Sequence, residues 1–351
     1  MSDRPGITAV LPCYNHARFL EERIESLLSQ THPVNQIVFL DDASTDGSAD
    51  LAEKLLKVFP GQVDIYVNSF NSGSPFAQWN KGVTLAEHEL IWIAETDDSC
   101  DPRLIDTLYS SILNSGAVLS YAQSRYISDD GQDLGSVLSY TDRLWPNAFR
   151  DCFSMDGARF NWRYMVGLNA IPNASAVLFR KDAYDSAGGA NEAMRFCGDW
   201  DAWIRTCSMG RVEFISDELN YFRCHASTSR ATGYTPKAAA EYFACRLSAY
   251  LRDNQTGSST LSAIDVIKNF LDPSEQWHWN QVVRSLSLNS LPEAKDRYQE
   301  LSCFPILGSR AWIMLRVLYS IQEVRGQLSA LPRRLARILL KRFGSLFRDI
   351  Q

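Results

Sequence analysis

Ile91-Trp92-Ile93-Ala94-Glu95-Thr96-Asp97-Asp98 is an apolar run that ends in three carboxylates within four positions. Its first half reads as a short buried strand, since a continuous apolar run suits a strand covered on both faces. Carboxylates this close repel one another unless a cation sits between them. Hard oxygen ligands at the mouth of a strand suit Mg²⁺ or Mn²⁺, which leave room for substrate phosphates. The alternative is a solvated acidic turn before a helix begun at Asp101-Pro102. The flanking sequence bears on the choice.

Upstream, residues 7–11 form a β-rich run closed by Pro12, and Asn15 is placed to cap a helix with Leu20, Ile24, Leu27 and Leu28 on one face. Residues 36–40 read as a second strand that ends in Asp41-Asp42. Asp46 or Ser48 would cap the next helix, whose inner stripe is Leu51, Ala52, Leu55, Leu56 and Phe59. A third strand over 63–67, a turn-rich stretch over 68–73 and a helix over 76–86 lead to the quoted run. Strands alternating with single helices imply a parallel sheet with right-handed crossovers, and ligands bind such sheets beyond the carboxyl ends of the strands. Tyr14, Asp41, Asp42 and residues 95–98 all fall at those ends, which argues for one shared site.

The middle of the chain is less regular. Ala176-Val177-Leu178-Phe179 reads as another buried strand, preceded by Asn173-Ala174-Ser175. Trp145, Phe149, Phe153, Phe160, Trp162 and Tyr164 suit core packing or a sugar-acceptor groove. Beyond residue 234 helical patterns dominate, so the expected division is an α/β domain over 1–234 and a helical extension over 235–351.

Composition limits the alternatives. A formal net charge of -6 over 351 residues argues against nucleic-acid binding. The charge is uneven: residues 306–351 carry nine Lys/Arg against two Asp/Glu, a net of +7, which leaves -13 for the rest. After Pro332, Leu335, Leu339, Phe343 and Leu346 share a helical face with Leu328 and Leu331, while Arg333, Arg334, Arg337, Lys341 and Arg348 point away. Such a basic amphipathic helix suits an anionic membrane surface, a self-association contact, or docking on its own domain. The eight cysteines form no CxxC pair and suit buried thiols in a reducing compartment. Residues 1–6 show no signal peptide and no apolar run is long enough to span a bilayer, so the expectation is a cytoplasmic protein with peripheral contact at the inner membrane face.

Several stretches together resemble the inverting family 2 glycosyltransferases, of GT-A fold. They are Ala9-Val10-Leu11-Pro12-Cys13-Tyr14-Asn15, Ser29-Gln30-Thr31, Phe39-Leu40-Asp41-Asp42-Ala43-Ser44-Thr45-Asp46-Gly47-Ser48, Asn71-Ser72-Gly73 and Asn80-Lys81-Gly82. Glu95-Thr96-Asp97-Asp98, Gly198-Asp199-Trp200-Asp201 with Trp203-Ile204-Arg205, and Tyr221-Phe222-Arg223-Cys224-His225 continue the order. The match covers roughly residues 6–230. It implies an α/β fold, a mostly parallel sheet flanked by helices, of the surface-polysaccharide type that builds O-antigen or capsule.

The same resemblance assigns roles. Tyr14 would stack on a nucleotide base and Asp42 accept one of its N–H groups, with Asp41 at the base or ribose. Pro12, Asn15, Asn71, Gly73, Glu95 and Thr96 fall in the same nucleotide-binding set. Asp97 occupies the metal-binding position of an Asp-x-Asp motif whose first member is here Glu95, and His225 would complete the metal or diphosphate site. The cofactor implied is a divalent metal, Mn²⁺ or Mg²⁺. Asp199 matches the base that deprotonates the acceptor, although Gly198 replaces the usual preceding Glu; Asp201 is the rival base. Trp200 and Asp201 would line the acceptor site, and Arg223, Ser229 and Arg230 would clamp phosphate. The implied partners are a UDP-, GDP- or dTDP-sugar donor and a glycan or lipid-linked acceptor. Two other readings stand beside this one: a non-catalytic module that binds nucleotide sugar or glycan, and a nucleotidyltransferase.

Overall fold

The computed structural model describes residues 4–225 and, beyond them, Ala238, Glu241, Tyr242, Ala244, Cys245, Arg246, Ser248 and Ala249. Ser229, Arg230, the expected boundary at 234/235 and the basic helix after Pro332 lie outside these residues. The chain divides into two units, Met1–Ser259 and Thr260–Gln351, and the second lies wholly outside the described residues. Among the described residues no helix is long and apolar enough to cross a membrane.

The elements in order are β1 (Ile7–Cys13), α1 (Ala17–Leu28), β2 (Gln36–Asp41), α2 (Ser48–Leu56), β3 (Gln62–Val67), α3 (Pro75–Leu85) and β4 (Leu90–Ile93). Then come β5 (Ser99–Cys100), α4 (Leu104–Ser115), β6 (Leu119–Ile127), β7 (Asp133–Ser136), α5 (Leu138–Thr141), β8 (Phe153–Asp156) and α6 (Gly157–Phe160). A π-helical turn at Asn161–Met165 precedes β9 (Val177–Arg180), α7 (Lys181–Ser186), α8 (Gly198–Cys207) and β10 (Arg211–Arg223).

One mixed sheet runs β3-β2-β1-β4-β9-β6-β10-β5, with β7 on β6 and β8 on β10. The α/β class is as expected, with a qualification to its mostly parallel sheet. β3-β2-β1-β4 is parallel throughout, whereas β9 runs antiparallel to both β4 and β6. Every residue of β1, β2 and β4 is buried, which is why these strands read as unbroken apolar runs. Leu11, Phe39 and Trp92 face the α1 side with Leu20 and Ile24. On the other face α3 lies so close that a side chain at Gly82 would place its Cβ 2.2 Å from Val10 Cγ1. Gly82 is thus a packing requirement, and Asn80 is another. It hydrogen-bonds Tyr184, Ala190 and Glu192, tying α3 to the loop before α8.

This topology gathers the motifs. Two reversals through β9 make β6 parallel to β4, and β10 is parallel to β6, so the end of β10 reaches the same edge as the end of β4. α8 returns against that direction before β10, which puts its N-terminus at that edge too. β9 starts there because it is antiparallel to β4. Residues far apart in sequence therefore converge by strand direction alone.

Candidate active site

The three carboxylates after β4 do not pinch one cation; they diverge. Asp98 turns inward, 2 % exposed, and accepts from Asn173 Nδ2, Ser175 Oγ and the Arg223 backbone N–H at 2.7–3.0 Å. Burial pushes its carboxyl up to about 6, with the negative charge of Asp97 adding to the effect. Glu95 accepts from Trp79 Nε1 at 2.7 Å, and its N–H donates to Ser175 Oγ. Burial first and Asp97 second push it up to about 8. Burial also works to raise Asp97, but the hydrogen bond from His225 and the nearby imidazoles outweigh it and hold this carboxyl below the usual range. Asp97 alone of the three faces other metal-ligating side chains.

Those side chains are His225 and His16. His225 Nε2 lies 2.9 Å from Asp97 Oδ2, and the donor atoms of all three residues fall within 4.8 Å of one another. His16, absent from the sequence-based set, follows Tyr14-Asn15 at the end of β1 and is positioned by a relay. Thr96 Oγ1 donates to the Pro12 carbonyl at 3.0 Å and lies 2.9 Å from His16 Nδ1. The hydroxyl proton is committed to the carbonyl, so Nδ1 carries the donated hydrogen and Nε2 keeps its lone pair. Donors adjacent around an octahedral cation lie about 3 Å apart and opposed ones about 4.2 Å, given bonds of about 2.1 Å. The cluster fits a divalent cation on spacing, and two imidazoles with one carboxylate suit Mn²⁺ better than Mg²⁺. Burial lowers the pKa of His16, which favours the neutral, metal-binding imidazole.

On the nucleotide side, Tyr14 is 47 % exposed at the edge, as a stacking residue requires. Asn15 does not cap α1. It sits at φ +55°, and its Oδ1 accepts the Thr45 N–H while its N–H donates to Ser44. The cap comes across the loop instead: Asp46 accepts from the Ala17 N–H and from Ser48. The turns after β1 and β2 are in this way laced together.

Asp42, expected at the nucleotide base, is buried and holds a loop. Asn68, Ser72 and Gln78 supply four donors that fill its acceptor positions at 2.7–3.1 Å. Asp42 thereby shapes the loop that presents Asn71 and Gly73, the latter at φ +73° with its N–H on Asn71 Oδ1. Asp41 is buried, with Oδ1 on the Ser44 N–H and Oδ2 without a partner among the described residues.

α8 opens at the same edge. Asp199 is half-buried and accepts from Asn169 Nδ2 at 2.9 Å. Gly198 is explained by packing: a Cβ there would lie 2.4 Å from the Phe76 ring. Phe76 stacks edge-on against Trp79, which holds Glu95, so α8 and the β4 turn share one support.

Trp200 and Asp201, expected at the acceptor site, are both buried. Trp200 is buried, with Nε1 donating to the Met165 carbonyl. Asp201, 0 % exposed, is paired with Arg205 one helical turn on at 2.7 Å. Arg223, expected to clamp phosphate, is 1 % exposed and donates to the Asp97, Ser128 and Asp129 carbonyls and to Glu22. In the aromatic stretch Phe149, Phe160 and Tyr164 are core, and only Trp162 is substantially exposed.

Trp79, Asn169, Asn173 and Ser175 complete the surroundings, and no motif singles them out. For His16 a signal existed, an imidazole two residues past a strand-end tyrosine.

Residues 8–186 match the family model described as glycosyl transferase family 2. Glycosyltransferase GlyG of Streptococcus pneumoniae is 31 % identical over 65 % of this chain and 74 % of its own. The putative teichuronic acid biosynthesis glycosyltransferase TuaG of Bacillus subtilis is 23 % identical over 40 % of this chain and 55 % of its own. Among solved structures, S. aureus TarS 1-349 with UDP-GlcNAc superposes with a TM-score of 0.60 at 15 % identity, covering 83 % of this chain and 79 % of that one. Mannosyltransferase PcManGT of Pyrobaculum calidifontis, in complex with GDP-Man and Mn²⁺, gives 0.53 at 16 %, covering 94 % and 89 %. These likenesses show the GT-A fold. The family match ends before Asp199 and His225.

Proposed function

The chain belongs to glycosyl transferase family 2 and is a glycosyltransferase, and from that premise we propose a metal-dependent, inverting transfer from a nucleoside diphosphate sugar to a hydroxyl of a glycan or lipid-linked glycan. The observation that carries this reading is the meeting of His16, Asp97 and His225 at the edge where Asp199 opens α8. Tyr14 offers its exposed face to the base, and the loop held by Asp42 presents Asn71 and Gly73. A divalent cation bound by the cluster would neutralise charge on the diphosphate as it departs.

In a single displacement the acceptor oxygen attacks the anomeric carbon from the face opposite the diphosphate. Its proton passes to the Asp199 carboxylate, and the bond to the phosphate oxygen breaks. Asn169 orients that carboxylate through its amide. The donor classes borne by solved neighbours, UDP-GlcNAc and GDP-Man, are the first to try on this chain. The basic stretch after Pro332 makes a lipid-linked acceptor at a membrane face the corollary.

The test is release of nucleoside diphosphate from UDP-, GDP- and dTDP-sugars with Mn²⁺, Mg²⁺ or EDTA. Wild type is expected to turn over one donor only with metal, and Asp97→Ala and Asp199→Asn to lose that turnover. Nucleotide binding with no turnover, even with membrane glycolipid supplied, would favour a binding module; pyrophosphate release would point to nucleotidyl transfer.

A further inference from the structure

Three consecutive backbone N–H groups just before α8 converge on one side chain from much later in the chain. Arg195 N lies 3.0 and 3.1 Å from the two Glu241 oxygens, and Phe196 N and Cys197 N lie 2.7 and 3.0 Å from Oε2. Glu241 is 0 % exposed. A buried carboxylate is costly unless donors surround it, and here three backbone N–H groups supply them, groups that an apolar side chain would leave without an acceptor. Here the donors belong to the strip that sets where Asp199 begins α8.

Neighbouring residues grip the same region. Cys245 Sγ donates to the Cys197 carbonyl at 3.6 Å, and the Tyr242 ring meets Trp200 edge-on at 5.8 Å. Arg246 Nε donates to the Gly167 carbonyl at 3.1 Å, two residues before the Asn169 that holds Asp199. The strips on both sides of Asp199 are thus pinned from residues 241–246.

We propose that Glu241 is a positioning residue for the transfer step, fixing the Arg195–Cys197 strip so that Asp199 stands where an acceptor hydroxyl loses its proton. The catalytic part of the chain then extends past the boundary expected at 234/235. This inference rests on the reading of Asp199 as the base.

The experiment uses the full chain as Glu241→Gln, Asp199→Asn and the double variant, with nucleoside diphosphate release followed on the sugar donor that wild type turns over. Thermal unfolding and nucleotide binding are measured alongside. For Glu241→Gln the expected result is a roughly 10- to 100-fold lower kcat, as small misplacements of a reacting group produce, with donor KM within about twofold of wild type. In the Asp199→Asn background Glu241→Gln should cost little more, because both act through one carboxylate. If Glu241→Gln lowers the melting temperature but leaves kcat of the folded enzyme unchanged, or if its loss multiplies fully with that of Asp199→Asn, the positioning role is overturned. Wild-type turnover in Asp199→Asn would instead remove the base on which the proposal rests. Should Glu241→Gln not fold, Glu241→Asp, which retracts the charge by one methylene, is expected to show the same kcat-specific loss.

Discussion

Two acidic runs reach the same edge of the sheet, and in each at least one carboxylate stays partly exposed at that edge while another is buried in the scaffold. After β4, a turn sends Asp97 toward His16 and His225 and Asp98 into the interior, where three donors receive it. At the start of α8, helical geometry does the sorting. Asp199 and Asp201 are two residues apart and so point to different sides, one toward Asn169 and the other toward Arg205. The lesson is that burial and partner together mark the role: Asp98 and Asp201 are buried among donors the fold supplies, whereas Asp97 and Asp199 are half-buried, the one beside imidazoles and the other accepting from the Asn169 amide.

That contrast can be broken most directly at α8. Asp199→Asn should lower kcat by about 10²–10⁴-fold with the fold intact, measured as nucleoside diphosphate release beside a thermal melt. Arg205→Ala should do the reverse. It leaves Asp201 buried without its charge partner, at a cost of about 3–5 kcal/mol by denaturant unfolding, while turnover per folded molecule stays near wild type. Equal kinetic losses in the two variants would erase the distinction between cleft and scaffold.

At the end of β4, Thr96 touches both the Pro12 carbonyl and His16. Thr96→Val removes the hydroxyl that orients His16 and should weaken Mn²⁺ binding roughly 10- to 100-fold, read by calorimetry without any sugar donor. Unchanged affinity would remove His16 from the ligand set. The smallest effect tests why Gly198 departs from the family pattern. Gly198→Glu should cost about 1–3 kcal/mol from overpacking against Phe76, and Phe76→Ala in the same chain should recover part of it. No recovery would show that the Phe76 ring is not the reason for glycine there.

Much of this was legible beforehand, for identifiable reasons. β1, β2 and β4 are buried on both faces, so each reads as an apolar run, and the polar residues that end each run mark the carboxyl edge. Pro12 did not close β1, which pairs on to Cys13; its carbonyl accepts from the Thr96 hydroxyl beyond the end of β4, where no strand N–H has to be matched by a proline donor. Asn15 misled because its position fits a cap, yet Asp46 from the next turn supplies that bond. Trp200 looked like an acceptor wall on resemblance alone; only the register of α8 shows that it faces Met165.

The sequence by itself determined the alternation of strands and helices, the family, and the acidic ends of β4 and α8, because burial and turn chemistry act over a few neighbouring residues. Tertiary structure decided the rest. The antiparallel placement of β9 brings Ser175 to Glu95 and Asp98, and the direction of β10 delivers His225 to Asp97. Whether Asp42 meets a ligand or a loop, and whether Asp199 or Asp201 faces the cleft, depends on partners up to 36 residues away in the one case and on helix orientation in the other. Such contacts are set by strand direction and packing, which leave no local trace in the order of residues.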